Sequence, residues 1–206
     1  MSMAKEHRPS NGGGNLEINS TESMMSNRDH GLEREVDEVL STFADVYDQY
    51  GAQVNEIQLA EISKGSALAF YDHGDSIAFN KAYFNSDKMN KVYDNDIKNG
   101  FHPSRGDKTA LQAIAAHELG HKLTNDVAKR LGSRNLDSAA KTIMEDARKT
   151  GKFKGVFQMG KKISGYAATS NAESISEAFA DVFCNGGKAK AESKAVVNSL
   201  NKYLGK

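Results

Sequence analysis

The chain has a single cysteine, Cys184, and no CxxC pair. An internal disulfide is therefore ruled out and thiolate metal chemistry is not expected, which leaves Cys184 as a small buried hydrophobe or a half-exposed spectator. Neither sign of charge is in excess: 27 lysines and arginines balance 27 aspartates and glutamates. Nothing in that balance draws the protein toward nucleic acid or an anionic membrane. Long apolar runs are missing too. None approaches the roughly 18 residues of a membrane helix, and no apolar stretch follows the N-terminal Met as in a secretion signal. A soluble chain with a cytoplasmic site of synthesis is the expectation. What is present, 206 residues of 38% hydrophobic composition, suffices for one domain with a real core.

Residues 1–31 carry "PSNGGGN", many Ser and Asn, and little to bury beyond Leu16 and Ile18. They read as a flexible N-terminal arm, with the domain occupying residues 32–206. From Leu32 the pattern changes: Val36, Val39, Leu40, Phe43, Val46, Tyr47 and Tyr50 recur at helical spacing and Gly51 sits at the C-cap. "VNEIQLAEIS", "SALAFYD" and "SIAFNKAYF" then read as three short strands separated by the turns "SKGS" and "DHGD", which predicts a small, mostly antiparallel sheet. Helices are predicted over Ser86–Lys98, Asp107–Asn125 with Asp107 as N-cap, Leu136–Lys149, Asn171–Cys184 and Ala189–Tyr203, with "GKKISGYAATS" as a connector. The fold class is α+β. The lysine-rich last helix reads as a solvated face.

The stretch "LQAIAAHELGHKLTND" carries the chemistry. On a helix, His117 and His121 at i and i+4 project from one face, so each can offer an imidazole nitrogen to one ion at roughly 2.0–2.1 Å. Glu118 follows the first histidine directly, and in this motif its carboxylate lies beside the ion's open position, where it takes a proton from a bound water. Gly120 leaves no side chain between the histidines, so another segment can approach closely. An acidic amphipathic helix downstream can supply a third ligand.

"HELGH" followed by "SGYAATSNAESISEAFADVF" resembles the gluzincin metalloproteases, and most of all the branch of anthrax-lethal-factor-type proteases and phage-encoded metallopeptidases. In that branch a Ser-x-Tyr-Ala or Ser-Tyr element precedes a helix carrying Glu-x-x-x-Glu or Glu-x-x-x-Asp. The match runs from about His102 to Gly186, and "DHGDSIAFN" resembles the sheet-edge strand above the metal. The long interval between His121 and Glu173 departs from the thermolysin pattern and favours the lethal-factor-like branch. The resemblance implies a zincin-like fold, Zn²⁺, an endopeptidase acting on a protein or peptide, Glu118 as general base and Tyr166 as donor to the developing oxyanion. It also implies a cytoplasmic or virion-associated setting with a phage structural or host protein as partner. Two rival readings remain: a phage structural or head-morphogenesis protein that keeps the scaffold, and a zinc hydrolase of a non-peptide bond.

Glu173, Glu177 and Asp181 lie at i, i+4 and i+8 of the downstream helix and share one face. If Ser170 to Glu173 forms a capping box, Glu173 reaches back to the N-cap amide, Glu177 becomes the ligand and Asp181 orients a histidine. The likeness of "ESISE" to the thermolysin-type Glu-Ala-Ile-Ser-Asp favours the other assignment. In that assignment Glu173 binds the metal and Glu177 holds the second nitrogen of His117.

Overall fold

The apolar periodicity from Leu32 forms helix α1 (Glu33–Tyr50), which buries Val36, Val39, Phe43 and Val46 and ends at Gly51 with φ 68°. Tyr47, one of the residues at helical spacing, is half exposed instead. The computed structural model describes residues 18–25, 31–62, 67–72, 75–133 and 135–206. Within them, four strands make one sheet: β1 (Ile18–Ser23), β2 (Glu56–Ile62), β3 (Ala69–Asp72) and β4 (Ser76–Asn80). The strand order is β1-β2-β4-β3.

Two expectations change in part here. Two of the three strand pairings, β1 with β2 and β3 with β4, are antiparallel as expected, but β2 and β4 run parallel, so the sheet is mixed. Burial explains the order. β4 buries Ile77, Ala78, Phe79 and Asn80 and so belongs inside the sheet, which sends the chain from β2 past β4 to the outer edge at β3. The second change concerns the arm. Residues 18–25 are part of the fold: β1 pairs with β2, Met24 is fully buried and the Glu22 carboxylate bonds Lys81 Nζ. The rest of the predicted arm up to Asp29 and His30 lies outside the described residues.

The helices follow as α2 (Ser86–Lys98), α3 (Ala110–Arg130), α4 (Leu136–Thr150), α5 (Val156–Ile163), α6 (Asn171–Asn185) and α7 (Ala191–Leu204). Thr109, not Asp107, caps α3, in a capping box with Gln112. The α3 helix is buried on nearly every side, between α1, β3, α4, α6 and α7, and is the axis of the core. The α5 helix falls partly inside the expected connector. Gly155 and Gly160 obscure it in the sequence, yet Gly160 is where α5 meets its neighbours, since a Cβ there would lie 2.7 Å from Ser174 Oγ and 3.0 Å from Ala167 O. Close packing outweighs the poor helix propensity of glycine.

Two of the exposed tail lysines also bond within the chain. Lys190 Nζ donates to the carbonyls of Lys162 and Ile163 at the end of α5, and Lys202 bonds Asp146. Cys184 is partly buried and its thiol is pushed up to about 12 by burial, which keeps it protonated. Among the described residues no helix is long and apolar enough to cross a membrane.

Candidate metal centre

The α3 and α6 helices cross at Gly120, where a Cβ would stand 2.7 Å from Ser176 Cα. Only glycine permits that approach, and it brings the histidine face of α3 onto the acidic face of α6. Glu173 Oε2 lies 3.1 Å from His117 Nε2 and 3.3 Å from His121 Nε2. A tetrahedral ion with bonds of about 2.0–2.1 Å sets its ligands about 3.4 Å apart, so this spacing suits one. The three donor atoms all lie within 4.8 Å of one another, and the three residues are buried.

The polar bookkeeping points the same way. Glu173 Oε2 is buried and, despite its nearness to both histidines, accepts a hydrogen bond of good geometry from neither; His121 Nδ1 is also without a partner. Buried carboxylate oxygens are rarely left so, and a cation among the three donors would satisfy this one. Ser170 does cap α6 by accepting from the Glu173 amide, but the Glu173 carboxylate turns to the histidines. Its carboxyl is opposed by burial, yet His121 and His117 outweigh that and hold it well below the ordinary range.

Glu177 sits one turn on and is fully buried. Its Oε1 accepts from His117 Nδ1 at 2.8 Å and its Oε2 from Ser164 Oγ at 2.8 Å. That contact places a proton of His117 on Nδ1 and turns Nε2 toward Glu173 and His121. A third donor, His102 Nδ1, lies 3.1 Å from both oxygens. Burial opposes the Glu177 charge, but His102 and His117 prevail and lower its pKa to about 2. His117 shows the reciprocal effect: burial depresses it, and Glu173 and Glu177 raise it well above its usual value.

Asp181 is not at the centre. Its carboxylate accepts from Asn185 Nδ2 at 2.9 Å and from the Lys190 amide at 3.0 Å, tying the end of α6 to the start of α7. The alternative that made Asp181 the orienting acid is therefore set aside. One turn of α6 separates each acid on this face, so Asp181 points past the histidines toward the helix end.

Glu118 is buried beside the ligands, and burial holds its carboxyl above the usual range; the two histidines and the backbone amide of Tyr71 pull the other way. Tyr71 belongs to β3, the edge strand nearest α3. The edge over the site is thus Ala69–Asp72, whereas "DHGDSIAFN" runs mainly through the inner strand β4. Tyr166 is buried with its ring stacked on His117 at 5.6 Å, and its hydroxyl bonds Glu173; burial raises its pKa far above the ordinary phenol value. A small pocket beside Glu118 is walled by Leu68 and Ile114 and reaches His102 and Glu177.

Sequence reasoning missed His102 and Ser164. Only Ser164 left a trace, as the first residue of "SGYA"; His102 sits in a loop whose course depends on tertiary pairing. The chain matches no known protein family, no curated protein and no solved structure. Its function has to be read from these residues.

Proposed function

We propose that the protein is a zinc-dependent endopeptidase with a zincin-like arrangement of an active-site helix and a downstream glutamate helix. The observation that carries this reading is the meeting of His117, His121 and Glu173 within 4.8 Å, beside the buried carboxyl of Glu118. Two imidazoles and one carboxylate form a donor set suited to zinc with a fourth position open. Zinc bound there supplies a Lewis acid that acidifies a water and polarises a carbonyl.

The protein's own groups do the rest. Glu177 fixes the tautomer of His117. Glu118, its proton affinity raised by burial, takes the proton of the attacking water and delivers it to the leaving amine. Tyr166 is the candidate donor to the developing oxyanion, with its hydroxyl already at Glu173. β3, an edge strand, offers backbone groups along which an extended peptide can lie. A scaffold that merely retains metal needs the ligands but no base, and the cost of burying Glu118 favours the enzyme over the phage structural reading.

The test is casein cleavage and metal content for wild type, His117→Ala and Glu118→Gln. Wild type is expected to carry about one zinc and to cleave; His117→Ala loses both, and Glu118→Gln keeps zinc while losing 10²-fold or more in turnover, as expected when a general base is removed. Wild-type turnover by zinc-loaded Glu118→Gln would overturn the mechanism.

A further inference from the structure

We propose that His102 is a positioning residue of the metal centre, acting through Glu177 to fix the direction in which His117 presents its Nε2; this rests on the zinc reading above. His102 lies in the loop between α2 and α3, far in sequence from the HELGH motif and from the acidic helix. Its Nδ1 stands 3.1 Å from each Glu177 oxygen. Because that nitrogen faces two carboxylate oxygens, it carries the proton and donates across the mouth of the carboxylate.

The consequence follows from the torsions. The terminal torsion of a glutamate is broad and roughly two-fold, so one hydrogen bond to His117 leaves the carboxylate plane free to swing. Ser164, a single hydroxyl rotor on Oε2, restrains one oxygen. The symmetric donation from His102 fixes the plane, and with it the line of the Oε1 to His117 Nδ1 bond. The His102 ring cannot drift, since it stacks on Tyr93 at 4.7 Å and 5° and meets the edges of Phe101 and Tyr166 at 4.9 and 5.7 Å. The same loop pairs by backbone with the segment before α6: the Gly165 amide donates to Gly100 O at 2.8 Å and the Tyr166 amide to Phe101 O at 3.0 Å. One loop thus sets both the carboxylate behind His117 and the tyrosine stacked on it.

Packing and donation separate by substitution. His102→Phe keeps a ring on Tyr93 and removes the donor; His102→Asn loses the stack and keeps an N–H where Nδ1 was. Each full-length protein is to be measured for zinc affinity by competition with a chromophoric chelator, for the visible spectrum of its cobalt(II) form and for the melting midpoint without metal. His102→Phe is expected to bind zinc about tenfold more weakly, the low end for residues that orient a ligand, with an altered cobalt spectrum. His102→Asn is expected to restore affinity and spectrum although its metal-free midpoint is the lower of the two. Unchanged affinity in His102→Phe, or affinity that simply follows the midpoint so that His102→Asn is worse, overturns the positioning role while leaving the zinc reading intact. A wild type that binds no zinc sinks that reading itself, and the role of His102 with it.

Discussion

On the α6 side of α3, Glu177 gathers His117, His102 and Ser164 in full burial. On the sheet side, Asp75, at φ 67° in the turn before β4, accepts from Tyr71 at 2.6 Å and pairs with Lys129 at 2.6 Å and Lys122 at 3.7 Å. Both acids are held below the ordinary carboxylate range against the cost of burial. The partners differ. Those of Glu177 are two buried rings and a hydroxyl held by packing, which bear on the orientation of His117. Those of Asp75 include two lysines, one of them, Lys129, 54% exposed, so salt screens part of the attraction. The outer acid holds a strand in place, and through the Tyr71 amide it reaches Glu118. Two similar-looking clusters therefore differ: the inner one orients His117, the outer one ties down an edge strand.

The strongest way to break this contrast is at the ligand itself. Glu173→Ala is expected to reduce zinc from about one per chain to nearly none, whereas Glu177→Ala weakens binding by about 10–100-fold and leaves a site. The reverse ranking, measured by zinc titration, would move the ligand one turn along α6. A second test uses pH on metal-free protein. The Glu177 carboxyl is shifted from 4.5 down to about 2, so its contribution to stability is complete above pH 4.5 and is lost as pH falls toward about 2. Glu177→Gln is expected to flatten that acid limb in urea unfolding midpoints; an unchanged limb would show that other groups control it. For the outer cluster, Asp75→Asn is expected to leave zinc affinity unchanged and to lower turnover several-fold by loosening β3 over Glu118, with a stability cost of about 1 kcal/mol or less. A zinc loss as large as that of Glu177→Ala would erase the distinction. The smallest effect belongs to Asp181→Ala, which removes one hydrogen bond within α6 and one to the start of α7. It is expected to cost about 1 kcal/mol in stability with zinc binding intact.

Helical periodicity made most of the centre legible. The spacing of His117 and His121 on one segment, and of Glu173 and Glu177 on another, is local information, and the α2 boundaries at Ser86 and Lys98 follow from the same kind of signal. Selection between Glu173 and Glu177 as the acid facing both histidines was not local. It depended on where α6 crosses α3, which the Gly120 to Ser176 contact decides. Strand order escaped because pairing partners are chosen by burial of whole strands, and alternation in "SALAFYD" and "SIAFNKAYF" does not say which is central. His102 was out of reach for a similar reason: its place is set by backbone pairing with Gly165 and Tyr166, and neither residue type announces that pairing.

No single helix of this chain contains the three donors. His117 and His121 belong to α3 and Glu173 to α6, with α4 and α5 folded in between. An ion that needs all three recognises the native crossing of two helices and has only a fragment of its site in the unfolded chain. Binding and folding then share one equilibrium. Apparent stability would climb with the logarithm of free metal concentration, and a chelator would lower the melting point of the whole domain, so the thermal unfolding curve itself becomes a titration of the site.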